Sequence, residues 1–394
     1  MKEQTWNQYT IKNQNKLLVL NTILKHKCLS RADIAAKTGL NKGTVSSQVS
    51  ELLHEELIYE QGPGESSGGR RPVMLLFNQT AGYSIGIDIG VNYILGVLTD
   101  LEGNVHLEKS ISLQHLNYEY VMDHLYGVID ELISNTPESR YHITGIGIGV
   151  PGTVSKTGKI LLAPNLKWKN VAIREQLEER YQCPILIENE ANTGAYGELK
   201  FGYGRSHEDV IYVSVGMGIG IGMILNGKLY KGMNGFAGEM GHMTIRYDGP
   251  VCNCGNRGCW ELFASEQFLE REMCDAGLSG GNLEDALDAA SRNDAASIQM
   301  FHILGEYLGT GLVNIINTFN PNQVVIGNRI TLAKKWIEQP LLQKVKSNTL
   351  WFQQEDLKIN FSDLKFHSTA LGASAFAYEK FLKANIHNSA SKAK

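Results

Sequence analysis

Apolar residues in the first eighty positions recur with the spacing of short helices, then with that of strands. Leu17, Leu18, Leu20, Ile23 and Leu24 fall on one face of a helix over 16–25. Ser30 can cap a second helix, and Gly39 ends it where a left-handed residue is wanted. Asn41 can cap a third, which turns Val45, Val49, Leu52 and Leu53 inward. Two short helices around a glycine turn form a helix-turn-helix pattern. Two strand-like runs follow, 57–61 and 73–77, joined by a Gly/Ser-rich stretch carrying Arg70 and Arg71. A hairpin with a long basic tip reads as a wing. Further on, the pattern predicts strands at 83–90, 93–100 and 105–113, a helix at 118–134 and a strand at 143–150. The apolar run 210–225 is broken by Gly216, Gly218, Gly220 and Gly222, so it reads as strand-turn-strand and not as a membrane span. A long helix over 297–319 stops at Asn320-Pro321, a strand follows at 323–326, and a last helix covers 369–382. The tail is rich in Ser, Ala and Lys and reads as disordered.

Composition sharpens this outline. At 394 residues, 43% hydrophobic and 20% charged, the chain is an ordinary globular α/β protein of more than one domain. A net charge of −4 argues against a protein that coats nucleic acid along its length. Up to Asn78 there are ten basic residues against seven acidic ones, and the remainder is acidic. A basic head on an acidic body suits a small nucleic-acid module on a larger sensor. The candidate DNA contacts are Arg31, Lys42, Thr44, Ser46, Ser47 and Gln48 on the helices, and Arg70 and Arg71 on the wing. A three-helix oligomerisation module with a linker is the competing reading. The polar N-terminus shows no secretory signal, so a cytoplasmic protein without a membrane anchor is expected.

In such a compartment the six cysteines are not expected to form disulfides. Cys252, Cys254 and Cys259 crowd into eight residues, ten positions after His242. One imidazole and three thiolates make a closed tetrahedral donor set that favours zinc over magnesium or calcium. One structural ion per chain is expected, clamping the segments that carry Glu239 and Glu261. Reduced, buried cysteines are the alternative.

The run Gly235-Phe236-Ala237-Gly238-Glu239-Met240-Gly241-His242, followed by the cysteine loop through Trp260-Glu261, resembles the ROK family of repressors and sugar kinases. The Ser-Gly-Gly-Arg-Arg-Pro wing resembles its repressor branch, and the resemblance covers essentially the whole chain. It implies an N-terminal winged helix-turn-helix over 1–80 and a two-lobed actin-like ATPase/sugar kinase fold. The small lobe would span 81–189 and the large lobe with the zinc loop 190–366. A C-terminal helix at 367–385 would return to the small lobe ahead of a disordered tail at 386–394. The resemblance places a monosaccharide among Asn189, Glu190, Glu239, His242 and Glu261, with Asn165 and Trp168 on a nearby loop. Carboxylates suit vicinal hydroxyls, because charge-assisted hydrogen bonds are roughly twice as strong as neutral ones.

Four positions depart from the family's kinases. Val91-Asn92 follows Gly90, Met217 stands where a Thr hydroxyl would touch phosphate, and Asn328-Arg329 follows Gly327. Glu190 replaces the Asp that acts as general base. Its carboxylate is displaced by roughly an ångström, which can cost ~10²-fold in rate. The expectation is therefore a sugar-released repressor with no catalytic residues and no bound ATP. The resemblance to the repressor branch implies D-xylose as the inducer, and a longer acid is consistent with a pentose. The protein should act as a homodimer on palindromic operator DNA. The alternatives are a sugar kinase carrying a DNA-binding domain and a zinc-dependent nucleic-acid protein without a ligand. The second leaves the carboxylates flanking the zinc loop unexplained.

Overall fold

The computed structural model describes residues 8–63, 72–275 and 281–388. Its first domain consists of α1 (Gln8–His26), β1 (Cys28–Ser30), α2 (Arg31–Thr38), α3 (Lys42–His54), β2 (Ile58–Pro63) and β3 (Val73–Phe77). Ser30 and Asp33 form a reciprocal capping box at the start of α2, and Gly39 closes it at φ 72°. Asn41 caps α3 by accepting from Thr44 N–H. The strands form a small sheet in the order β1-β3-β2. Arg70 and Arg71 lie outside the described residues. Helix α1 begins well before the apolar stripe that predicts it. Its early turns are held by charge, with Lys12 on Glu51 at 2.6 Å and the buried Lys16 on Glu55 at 2.6 Å, which hydrophobic spacing does not register.

The body contains β4 (Tyr83–Ile89), β5 (Tyr93–Asp100), β6 (Val105–Ser112), α4 (Tyr118–Ser134), β7 (Ile143–Val150), β8 (Thr153–Val154), β9 (Ile160–Ala163), β10 (Trp168–Val171), α5 (Ile173–Tyr181), β11 (Ile185–Asn189) and α6 (Glu190–Phe201). It continues through β12 (Val210–Val215), β13 (Ile219–Leu225), β14 (Lys228–Tyr230), α7 (Glu261–Ala264), α8 (Glu266–Asp275), α9 (Leu283–Ser291) and α10 (Ala295–Phe319). It ends with β15 (Gln323–Gly327), α11 (Lys334–Asn348), β16 (Lys358–Phe361) and α12 (Ser368–Asn388). The last helix thus runs into the stretch whose composition suggested a disordered tail.

Two five-stranded sheets share one plan. In β11-β7-β4-β5-β6, an antiparallel meander of three strands is extended by two parallel ones. In β14-β13-β12-β15-β16 the same order recurs. No short repeat in the sequence announces this duplication, because it resides in backbone pairing and not in shared residues.

Helix α12 ties the parts together. Its backbone lies against β4 and β7 without side chains between. A methyl group at Gly86 would stand 1.9 Å from Ala370 O, and one at Gly147 would stand 2.0 Å from Ala373 O. On another face Gly372 meets α6, where a methyl group would stand 1.8 Å from Thr193 O. Tyr196 of α6 stacks on Phe376 at 4.1 Å and donates to Glu379 at 2.6 Å. Further along, Ala375, Tyr378 and Leu382 join Val19, Leu20, Ile23, Val49 and Leu75 in a single apolar core. The winged helix is therefore seated on the same helix that backs α6. Tyr141 adds a hydrogen bond of 3.0 Å to Glu55 O, and its ring meets Phe381 edge-on.

Candidate functional site

A cleft of about 460 Å³ opens between the two sheets. It is lined by Asn165, Asn189, Glu190, Glu239, His242 and Glu261, so six of the seven expected sugar contacts come together. Trp168 does not join them. It is 3% exposed in the core under β4 and β7, edge-on to Tyr118, and it does not line the cleft. The loop Pro164–Leu166 does reach the rim, but it ends at the left-handed Lys167, after which Trp168 belongs to the hairpin strand β10.

Asn189 ends β11 and caps α6. Its Oδ1 accepts from Ala191 and Asn192 N–H, and its Nδ2 donates to Gly152 O at 2.9 Å. Most of its hydrogen-bonding capacity holds the wall in place, leaving one amide proton for a ligand. Glu190 accepts from Ser214 Oγ at 3.3 Å, and Asn328 Nδ2 in turn donates to Ser214 at 3.0 Å. Burial pushes the Glu190 carboxyl up to about 7. Burial, together with the Glu190 charge, also raises Asp88 well above the carboxylate range. Tyr93 donates to Asp88 Oδ2 at 2.7 Å, and Oδ1 is buried without a partner among the described residues. The opposite wall carries Glu239, which accepts from Thr153 Oγ1 at 3.2 Å across the cleft. Gly218 leaves the space that Glu261 fills, since a methyl group there would lie 2.9 Å from Oε2 and 3.8 Å from Asn165 Nδ2.

The ligand atoms of His242, Cys252, Cys254 and Cys259 all lie within 4.8 Å of one another. Cys252 Sγ is 3.7 Å from His242 Nδ1, and the Cys254 and Cys259 sulfurs are 3.7 Å apart. A tetrahedron of Zn–S bonds of ~2.3 Å has edges of ~3.8 Å, so the spacing fits. These four residues form a donor set consistent with structural zinc. With Nδ1 turned to the sulfurs, the other ring nitrogen remains for the cleft that His242 lines. A bound ion supplies a cross-link. The loop's own contribution is to anchor that link: Trp260 is fully buried, and its Nε1 donates to Tyr307 O of α10 at 2.9 Å. Glu261 begins α7 directly after this anchor. Its Oε1 lies 3.3 Å from His242 Nδ1 and 3.1 Å from Cys252 Sγ, directly against the donor set.

The half of the cleft nearer β15 has a different character. Arg329 donates to both oxygens of the buried Glu266, at 3.0 and 3.3 Å, and to both oxygens of Glu284, at 2.9 and 3.0 Å. Its guanidinium is committed to carboxylates. Met217 lines this half together with Glu266 and Arg329. Sequence reasoning found Arg329 only as a departure after Gly327. It missed Glu266, Ser214, Thr153 and Tyr93, whose partners are brought together by the fold alone.

On the winged helix, Lys42, Ser46 and Ser47 are exposed along α3, and Thr44 is half-buried. Gln48 is 3% exposed and faces the interior with Oε1 unpartnered among the described residues, so it does not share their open face. Arg31 is paired with Glu60 of β2 at 2.9 Å.

Known proteins match both the body and the N-terminal domain. The ROK family model matches residues 84–380, and a winged helix-turn-helix DNA-binding model matches residues 12–59. The xylose repressor of Bacillus spizizenii is 45% identical over 375 residues, covering 95% of this chain and 97% of its own. A solved ROK-family transcriptional regulator, a homolog of the E. coli MLC protein, superposes with a TM-score of 0.80 at 27% identity over 95% of this chain and 98% of its own. A ROK-family glucokinase from Streptomyces griseus, solved with glucose and AMPPNP, superposes with a TM-score of 0.68 at 26% identity over 76% of this chain and all of its own. The kinase covers the body, whereas the regulators cover the winged helix as well. With the cleft, the cysteine loop and the N-terminal domain all accounted for, the chain belongs to the ROK family.

Proposed function

We propose that this chain is a transcriptional repressor released from operator DNA when a monosaccharide enters the cleft. One observation carries the reading: the helix that packs along α6 also shares a core with the DNA-binding domain. Asn189 and Glu190 sit at the first turn of α6. A sugar that draws the Glu239, His242 and Glu261 wall toward them acts on α6, hence on α12, and hence on the seat of the winged helix. The DNA contacts of this reading are Lys42, Thr44, Ser46 and Ser47 on α3, with Arg31, Arg70 and Arg71 as the candidate phosphate contacts. D-xylose is the inducer we favour, because the Bacillus relative is named a xylose repressor and the longer Glu190 side chain extends its wall's reach into the cleft, which suits a smaller sugar. Two chains in a homodimer would read a palindromic operator in the cytoplasm. Among the described residues no helix is long and apolar enough to cross a membrane.

The kinase alternative is disfavoured on chemical grounds. A transferring phosphoryl group needs cations and hydroxyls. Here it would meet Met217, the buried acids Glu190 and Glu266, and an arginine already neutralised by two carboxylates.

The test is reciprocal. D-xylose affinity should be ~5–150-fold weaker in the presence of operator DNA, because linkage requires each ligand to oppose the other equally. Equal affinities end the repressor reading. Turnover of ATP and a sugar at ~1–100 s⁻¹ would instead establish the kinase.

A further inference from the structure

A second cavity, of about 220 Å³, lies against β11 and shares no lining residue with the cleft. Four cations from four separate segments converge on it: Lys156 from the turn before β9, Arg174 from α5, Lys231 just after β14, and Lys380 from α12. Glu188 is its single lining acid. That charge is already engaged, since Glu188 accepts from Asn189 N–H at 2.9 Å, from Asn192 Nδ2 at 3.0 Å and from Lys231 Nζ. Arg174 is paired with Glu178 at 2.9 Å and donates to Thr157 O at 3.4 Å. Among the described residues Lys156 donates to the neutral carbonyl of Met233 and makes no ion pair, and Lys380 makes none either. Two ammonium groups therefore line one cavity without an ion-pair partner among the described residues, and the flat ring of Phe376 forms one wall. Such a set matches a small oxyanion of charge near −2, and the volume leaves room for a short carbon chain beside it.

The geometry points to an effector site here for a small dianionic metabolite, a phosphate ester or a dicarboxylate, separate from the sugar cleft. Its position gives it leverage. Lys231 and Lys156 link the large lobe to the small one, the first through Glu188 and the second through Met233 O. An anion that competes for them loosens both links. It also releases Glu188, which positions Asn189 and Asn192 at the head of α6. Through Lys380 it touches α12 directly. Anion binding should therefore change sugar affinity without competing for the same space.

Calorimetry on the full chain tests this independently of the DNA reading, with inorganic phosphate and with succinate at constant ionic strength set by chloride. One phosphate per chain should bind with a Kd of about 1 mM or tighter, and saturating D-xylose should leave it bound. Lys156→Ala combined with Lys380→Ala should weaken it at least ~10-fold, and Lys156→Arg should largely retain it, because the loss follows charge. Tighter binding of succinate than of phosphate would assign the dicarboxylate class. Displacement of phosphate by xylose would place it in the sugar cleft and overturn the proposal. Equal binding by the double variant, or binding abolished by matched chloride, would reduce it to an adventitious ion only. If xylose itself fails to bind, the anion isotherms of the wild type and the double variant still decide the matter.

Discussion

The two walls of the cleft are held by different means. On one side Asn189 and Glu190 stand where a parallel strand meets a helix, and main-chain hydrogen bonds and a cap fix them. On the other side Glu239, His242 and Glu261 come from irregular chain, where only three-residue and four-residue helical turns intervene. The first wall is a by-product of the fold. The second needs a cross-link, and the cysteine cluster provides one. Preorganisation can thus come from secondary structure, which costs the sequence little, or from a metal loop, which constrains four residues to hold three.

The largest effect should come from breaking the dependent wall. Cys259→Ser removes a fully buried ligand. The variant should purify without stoichiometric zinc, melt at lower temperature and lose sugar affinity by ~100-fold or more. Metal analysis with titration calorimetry checks this. A zinc-free variant that keeps its sugar affinity within about threefold would show that both walls stand unaided.

Glu190→Gln should act on the self-standing wall in the opposite sense. With Glu190 raised to about 7 by burial, the folded chain holds a proton that the unfolded chain has already released. That excess extends from the ordinary carboxylate range up to about pH 7. Stability is therefore full at low pH, falls as pH rises through that window and is level above it. The amide removes the fall. The variant should be more stable than the parent by about 3 kcal/mol at pH 8 and indistinguishable near pH 4. Its sugar affinity should drop by about 10–100-fold as a charge-assisted bond is lost. Melting curves from pH 4 to 8 give the answer, and parallel curves for the two proteins would contradict it.

The smallest effect concerns neither wall. Ser46→Ala on the exposed face of α3 should leave zinc content and sugar affinity unchanged. It should weaken operator binding by about 3–10-fold, with little change on unrelated DNA. Equal losses on both DNAs would mean that Ser46 touches phosphate and not bases.

How much of this was legible in the sequence follows from how far apart the partners lie. The metal set is compressed into one loop and one preceding histidine, so spacing alone exposes it. Asn189, Glu190 and Glu261 carry no local signal, and only their resemblance to the family brings them together. The Arg329 pairings with Glu266 and Glu284 span 63 and 45 residues, and nothing in a window of sequence links them. Trp168 misled for the same reason. Its loop does reach the cleft, but a residue at the start of a hairpin strand points one way or the other according to register, which composition does not state. Gln48 misled because α3 is read most simply as one polar face, and position 48 lies beside Val45 and Val49 on the buried one.

The seam of bare backbone between α12 and the strands β4 and β7 bears on attempts to build sensors from this protein. Where two surfaces meet through side chains, a library can retune them, because a lost contact can be replaced by a neighbour's new rotamer. At Gly86 and Gly147, and at Gly372 where α12 meets α6, there is nothing to repack, and any added carbon collides with a carbonyl or main-chain atom. Changes there should disable the transmission outright instead of adjusting its gain. Variation aimed at a new inducer therefore belongs at the rim, around Asn165, Met217 and Glu239, with those three glycines held fixed.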